Sequence, residues 1–505
     1  MDVDSGHDAE FAQETQSFLQ WFQALLGATF HPNIKIVDLR GQDAGRGIIA
    51  TADIEPDTVL FTIPRVSILC AATSDLAAKI PDIFTPQPTA TDDEESGDED
   101  ENTGSQDPWT LLILVLVYEY LQGSASRWKP YLDILPSTFD TPMFWQPSEL
   151  AELEASAVVA KVGKEDADKM IRSKIFTVVR AHEDVFFPAS TPKPNDDELL
   201  NLAHRMGSAI MAYAFDLEKE DDDDEEDEET EDEWIEDREG KTMMGMVPMA
   251  DMLNADAKFN AHINHSEAAL TATALRAICA GEEILNYYGP LSNGELLRRY
   301  GYVTPKHARY DVVELPWSLV EKRMAEHLHL DSKVSAKVAE YLADAGEELE
   351  DSFVLERSSP DPSSAGLLEG KAEFTGLPED MSEQVMVYLK AVKKAYGGVD
   401  EARAEALADR DTRNEIYLTA VTYALKDREG QYATPLARDN ELIGNADKPR
   451  GRREMALWVR RGEKQLLQEA QAWVSEELNK LQQKKAADKR PREGNDRPDA
   501  KRRRA

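Results

Sequence analysis

From Ile34 to Ile68 the chain breaks into short β-branched runs: Ile34-Lys35-Ile36-Val37, Gly47-Ile48-Ile49-Ala50-Thr51 and Thr58 to Ile63. Turn residues separate them at Gly41, Gly45, Glu55-Pro56-Asp57 and Pro64. Runs this short with turns this close make small antiparallel strands and hairpins. Short strands return from Val247 to Tyr310. Elsewhere the apolar spacing is helical. Phe18, Phe22, Leu25 and Leu26 predict a helix over about 13–28, Trp109 to Leu121 a buried helix, and 149–187 and about 196–215 further helical segments, with Pro188, Pro192 and Pro194 between the last two. Beyond Pro316, Val385, Tyr388, Leu389 and Val392 repeat at helical intervals, as do Leu466, Leu467, Ala470, Trp473 and Val474. The fold class expected is therefore α+β. Small antiparallel β-sheets with a helical insert (about 108–215) fill 13–310, and an all-α domain fills 316–480.

Charge divides the chain further. With 505 residues and a hydrophobic share of 41%, more than one core is expected. Much of the net charge of −40 lies in two acidic stretches, about 86–107 and 216–240, which read as disordered loops. Such a charge repels phosphate backbones, so no direct nucleic-acid binding is expected, and it favours basic protein partners. The two cysteines, Cys70 and Cys279, are too few for a disulfide framework or a multi-cysteine zinc site, and no metal is expected. The run Leu111 to Val117 is too short to span a bilayer, and Met1 to Glu10 carries no secretory signal, so no membrane partner is expected. The stretch 481–505 reverses sign, with Lys484-Lys485, Lys489-Arg490 and Lys501-Arg502-Arg503-Arg504. It reads as a disordered basic tail. Its clusters, with a spacer of about ten residues, suit a bipartite signal for a nuclear import receptor, which places the chain in the nucleus and in part in the cytoplasm.

Gly45-Arg46-Gly47-Ile48-Ile49-Ala50 satisfies the dinucleotide fingerprint G-x-G-x-x-A. That fingerprint needs a helix after its glycines. Here Ile48, Ile49 and Thr51 precede the turn at Glu55-Pro56-Asp57, which argues for a strand and against a Rossmann site. Some 200 residues on come Pro248-Met249-Ala250-Asp251-Met252-Leu253-Asn254-Ala255-Asp256, and then Gly281-Glu282-Glu283-Ile284-Leu285-Asn286-Tyr287-Tyr288-Gly289-Pro290. In this order the three segments resemble the motifs of the SET-domain family: G-x-G on an early strand, then D-x-L-N-H, then G-E-E-x-x-x-x-Y-G. Trp128-Lys129-Pro130-Tyr131-Leu132 with Pro142-Met143-Phe144-Trp145 resembles the helical insert of the subgroup related to Rubisco large-subunit methyltransferase. The helical half, including Arg452-Arg453-Glu454, resembles that subgroup's substrate-binding domain. The likeness covers about Phe18 to Leu478.

The resemblance implies an S-adenosyl-L-methionine-dependent protein-lysine N-methyltransferase. It implies Tyr288 as the aligning, catalytic tyrosine, and cofactor contacts from Gly45, Arg46, Gly47, Tyr213, Asn254, Ala255 and Tyr288. Ala212, Asp216 and Asp251 are implied on the substrate side. Ala255 stands where the family usually has His, a change that a main-chain contact survives. The target implied is a lysine of a basic large-subunit ribosomal protein, similar to ribosomal protein 42 of the large subunit, and the product is the monomethylated lysine. Alternatives are a non-ribosomal nuclear protein as target, or a non-catalytic SET-like module that holds basic proteins. The residue types suit the chemistry. A lysine ammonium with a pKa of about 10.4 must lose a proton before it can attack, at about 4–5 kcal/mol at neutral pH. An apolar channel lowers that cost, and alignment supplies the rest.

Overall fold

The structure, a computed structural model, describes residues 4–42, 44–84, 107–188, 192–218, 242–346, 348–444, 446 and 448–488. The predicted acidic loops fall almost wholly outside the described residues, as do Lys489-Arg490 and Lys501–Arg504 of the predicted import signal.

The strands are short and antiparallel throughout. In chain order they are β1 (Thr29–Phe30), β2 (Ile34–Asp38), β3 (Arg46–Ala50), β4 (Val59–Pro64), β5 (Ala214–Glu218), β6 (Thr242–Met246), β7 (Ala261–His265), β8 (Ala269–Ala274), β9 (Glu283–Ile284), β10 (Val313–Pro316) and β11 (Ser352–Leu355). They form sheets β1-β4-β8-β7, β2-β3-β9, β5-β6 and β10-β11. In the second sheet the early glycine strand pairs with a segment over 200 residues later, Ile48 opposite Ile284.

The insert helix Pro108–Gln122 starts where its local chemistry dictates. Asp107 accepts from the Thr110 amide at 2.8 Å, and proline opens the first turn. Leu112 to Val117 are buried on every side of it, as an all-apolar helix requires. Helix Asp196–Tyr213 opens with a capping box between Asn195 and Glu198.

Four expectations are corrected. The first helix is Asp4–Gln23, earlier than 13–28, and Gly27 at φ +88° turns the chain away. The stretch 149–187 is no long helix; Ala155 and Gly163 in positive-φ backbone and a π-turn at Ile171–Phe176 cut it into short pieces. Asp216 lies in strand β5 opposite Met244 and not in a disordered loop, because a hairpin pairs it. The region expected to be all-α contains β11, and its last helix, Arg452–Asp488, runs into the predicted tail.

Two main cores match the two halves. One gathers Phe18, Ile48, Leu112–Tyr118, Met246–Ala250 and Ile284, and the other Val313, Met324, Val385, Tyr388, Val421 and Leu466. A third, smaller cluster joins Trp145, Leu153, Val158 and Leu297 to Met455, Trp458 and Val459 of the final helix. It forms the seam between the halves. Among the described residues no helix is long and apolar enough to cross a membrane, and no cluster of His, Cys, Asp or Glu could hold a metal ion.

Candidate active site

Strand β3 brings Gly47 against the Asn254 turn. A Cβ at position 47 would collide with Leu39 and would stand 2.9 Å from both Asn254 Nδ2 and Glu283 Oε1. Only glycine lets these three approach the strand so closely. Asn254 Nδ2 donates to the Arg46 carbonyl at 3.2 Å and to Glu283 Oε1 at 2.8 Å, tying all three motifs at one point. Burial pushes the Glu283 carboxyl above its ordinary range, and the Asn254 amide partly offsets this.

The main chain repeats the stitch. Ala255 bridges to Asn286 in parallel; the Asn286 amide donates to the Asn254 carbonyl at 2.8 Å and the Asp256 amide to the Asn286 carbonyl at 3.2 Å. The Tyr288 hydroxyl donates to the Leu253 carbonyl at 3.1 Å, and the Tyr302 hydroxyl reaches the Ala255 carbonyl at 3.4 Å. Tyr288 stacks on Tyr300, centroids 4.6 Å apart, and Tyr302 packs edgewise on the same ring.

Tyr213, at the end of helix Asp196–Tyr213, lies close enough to feel Asp251 and Tyr300. Tyr288 feels Tyr302, Tyr300, Tyr213 and Asp251. Burial drives the Tyr213, Tyr288 and Tyr302 hydroxyls far above their usual range, so all three stay neutral. The result is a ring of neutral phenols in an apolar wall. Such a wall disfavours an ammonium and can hold a neutral amine by hydrogen bonds.

Asp251 stands in the 3₁₀ turn Ala250–Met252, directly after Met249 at φ +85°. A non-glycine residue there stores about 1–3 kcal/mol of strain, which only the surrounding packing can hold. Asp251 Oδ2 accepts from the buried Tyr131 hydroxyl at 2.6 Å. Burial lifts its carboxyl to about 7, with Tyr131 and nearby amides pulling it partly back.

The predicted residues fall into three groups. Gly47, Asn254, Ala255 and Tyr288 converge through the bonds above, with Tyr213 and Asp251 beside them. Arg46 contributes its carbonyl, but its guanidinium turns away: it stacks on Phe11 and donates to Thr15 Oγ1, Glu14 and the Ile134 carbonyl. Gly45 has open space around it, Ala212 is buried at the end of its helix, and Asp216 is exposed on β5. The sequence alone marks no role for Glu283 or Tyr131. Glu283 belongs to the third motif and could have been singled out there, whereas nothing local marks Tyr131. Tyr287 sits apart, stacked on Phe259 at 4.7 Å. A cleft of about 640 Å³ lined by Phe139, Phe144, Glu198, Arg205 and Arg452 contains none of these site residues.

Residues 45–289 match the family model for the SET domain, and residues 339–467 that for Rubisco LSMT substrate-binding. Ribosomal lysine N-methyltransferase 4 of Saccharomyces cerevisiae is 33% identical over 310 residues, 61% of this chain and 58% of that protein. N-lysine methyltransferase setd6 of Danio rerio is 31% identical over 306 residues, 60% of this chain and 59% of that protein. The chain thus spans less than two thirds of the length of these relatives. The solved structure of the LSMT SET domain bound to lysine and AdoHcy aligns with a TM-score of 0.60 at 19% identity, over 94% of this chain and 93% of that one. Rubisco LSMT bound to AdoMet aligns at 0.59 with 18% identity, over 96% and 97%. Both share the fold.

Proposed function

The chain belongs to the SET-domain family and carries a substrate-binding domain of the Rubisco LSMT type, and from that premise we propose that it is an S-adenosyl-L-methionine-dependent protein-lysine N-methyltransferase. One observation carries the reading. Gly47, Asn254 and Tyr288, from three distant segments, meet at a single stitched junction walled by neutral tyrosines.

The cofactor fits what this junction offers. The side-chain-free face at Gly47 and the main chain of 45–47 leave backbone groups close to the Asn254 turn, where a zwitterionic amino-acid end can be held. Gly45, Arg46, Gly47, Asn254 and Ala255 would hold it, with Tyr213 and Tyr288 beside it. Ala255 suffices because its carbonyl and its bridge to Asn286 are main-chain features. When bound, the cofactor supplies a methyl group already activated by its sulfonium. The chain's own residues do the rest. The phenol ring keeps water away, and the Tyr288 hydroxyl, anchored on the Leu253 carbonyl, orients the amine.

For the substrate we read a lysine on a basic ribosomal protein, monomethylated in the nucleus. The reading is supported by the name of the yeast relative and by the net charge of −40, which attracts basic proteins at long range. The clusters at Lys489-Arg490 and Lys501–Arg504 supply the import signal. The test is labelled S-adenosylmethionine with acid-extracted yeast ribosomal proteins, followed by mass spectrometry of the labelled band. Transfer to one lysine supports the reading. Measurable cofactor binding with no transfer to these or to nuclear basic proteins would leave a binding module in its place.

A further inference from the structure

Among the described residues, the buried carboxylates of Glu119 and Glu463 have both oxygens hydrogen-bonded. Glu119, inside the insert helix and 3% exposed, accepts from Ser74 Oγ at 2.6 Å on one oxygen and from Ser126 Oγ at 2.7 Å on the other. Asp251 is different. Its Oδ2 is held by Tyr131, while its Oδ1 is buried and finds no partner of hydrogen-bonding geometry among the described residues. An open buried carboxylate oxygen is costly, on the order of 1–3 kcal/mol or more. The strained turn after Met249 holds it there nonetheless.

We propose that Asp251 Oδ1 takes the proton from the substrate lysine ammonium, and that Tyr131 is the positioning residue that holds the carboxylate for this transfer. The proposal rests on the methyltransferase reading and adds a proton acceptor to it. In the step, the Nζ–H bond of the ammonium breaks and an O–H bond forms at Oδ1. The electron pair stays on nitrogen, and ammonium plus carboxylate become amine plus carboxylic acid. Two opposite charges vanish together, so a low-dielectric wall favours the neutral pair.

The surroundings fit this role. The titratable groups that face Asp251 are Tyr131 from the short helix Lys129–Leu132, Tyr213 from the end of helix Asp196–Tyr213, and Tyr288 after β9. All three are neutral phenols, so none supplies a cation that would quench the carboxylate or hold its proton off. Burial brings the Asp251 carboxyl to about 7, closer to an amine in basicity than a surface aspartate, yet ionised above neutrality. Tyr131 is fixed in turn by burial against Phe18, ring centroids 6.2 Å apart.

The experiment follows transfer of labelled methyl to yeast ribosomal proteins across about pH 5–10, together with infrared titration of the free protein. The wild-type rate should rise through about pH 7. Asp251→Asn should remove that limb and slow transfer by about 100-fold or more. Tyr131→Phe, which deletes a hydrogen bond favouring the carboxylate, should shift the limb to higher pH while the protein stays folded. In the infrared, the protonated-carboxyl absorption titrating near neutrality, to which Asp311 and Glu463 also contribute, should lose the Asp251 component in Asp251→Asn, and that component should titrate higher in Tyr131→Phe. A folded Asp251→Asn that keeps the wild-type limb, or an unchanged carboxyl band, overturns the proposal while leaving the methyltransferase standing. A wild type that transfers no methyl to any protein overturns both.

Discussion

Asp251 and Asp311 make an instructive pair. Both are buried, both are lifted to about 7, and each has one oxygen bonded and one open. Their neighbours differ. Asp251 lies in a ring of neutral phenols beside the stitched motifs. Asp311 lies at the seam, where Asn293 donates to its Oδ1 through amide and side chain at 3.0 and 3.1 Å, and its open oxygen abuts Gly462 of the final helix. Beside it, Glu463 accepts from Ser156 at 2.6 Å and from Tyr432 at 2.8 Å, joining the insert to the helical half. The same chemical state thus stands among phenols in one place, where we place the proton transfer, and against the final helix in the other.

The sharpest break of this comparison comes at Tyr288. Tyr288→Phe removes the hydroxyl bonded to Leu253 and should slow methyl transfer by about 100-fold or more, with cofactor affinity nearly unchanged. Calorimetric titration beside single-turnover rates checks this, and an equal loss in both would reduce Tyr288 to a cofactor contact. At the other end of the pair, Gly462→Ala drives a Cβ into Asp311 Oδ2. It should cost about 1–3 kcal/mol of stability in denaturant melts and leave cofactor affinity intact. Loss of cofactor binding in a folded variant would merge the two regions into one.

A smaller effect follows from pH. Burial raises both Asp311 and Glu463 to about 7, with the Asn293 amide and then Arg357 at the first, and Ser156, Tyr432 and then Arg428 at the second, pulling them partly back. Carboxyls with raised values bind protons more tightly in the folded chain than in the unfolded one, where they titrate at about 4. Their contribution to stability is full below about pH 4 and is lost as pH climbs through 7. Between about pH 6 and 8 the melting temperature should fall by roughly a few degrees, and Glu463→Gln should flatten that slope. A slope unchanged in the variant would remove Glu463 as its source. Smallest of all, Tyr287→Phe loses only a 3.4 Å contact to Tyr310 and should change stability and rate within about 0.5 kcal/mol. A large rate loss there would mean that the two adjacent tyrosines had been assigned the wrong way round.

Much of the fold is legible because its signals are local. The β-branched runs around Ile48 and the apolar block Leu112–Val117 set their own periodicity, and the glycine at 47 is spaced for close approach. The three motifs stand in an order that a reader of the chain can recognise. The remainder is settled by tertiary contact. Nothing near Tyr131 hints at Asp251, 120 residues away. The Arg46 side chain reads as part of a ligand motif, yet it is recruited by the first helix. Asp216 carries the charge of an acidic run but is paired as a strand by Met244. The breaks in 149–187 depend on backbone that helical spacing does not encode.

The ties between Leu253–Asp256 and Asn286–Tyr302 have a further consequence. Residues 256–286 form a closed excursion clasped at its neck, so neither partner of the clasp can open without the other. The Asn286 and Asp256 amides should therefore exchange with deuterated solvent only through whole-domain opening. That would set them among the slowest-exchanging positions of the chain, although they belong to a turn and not to a regular sheet.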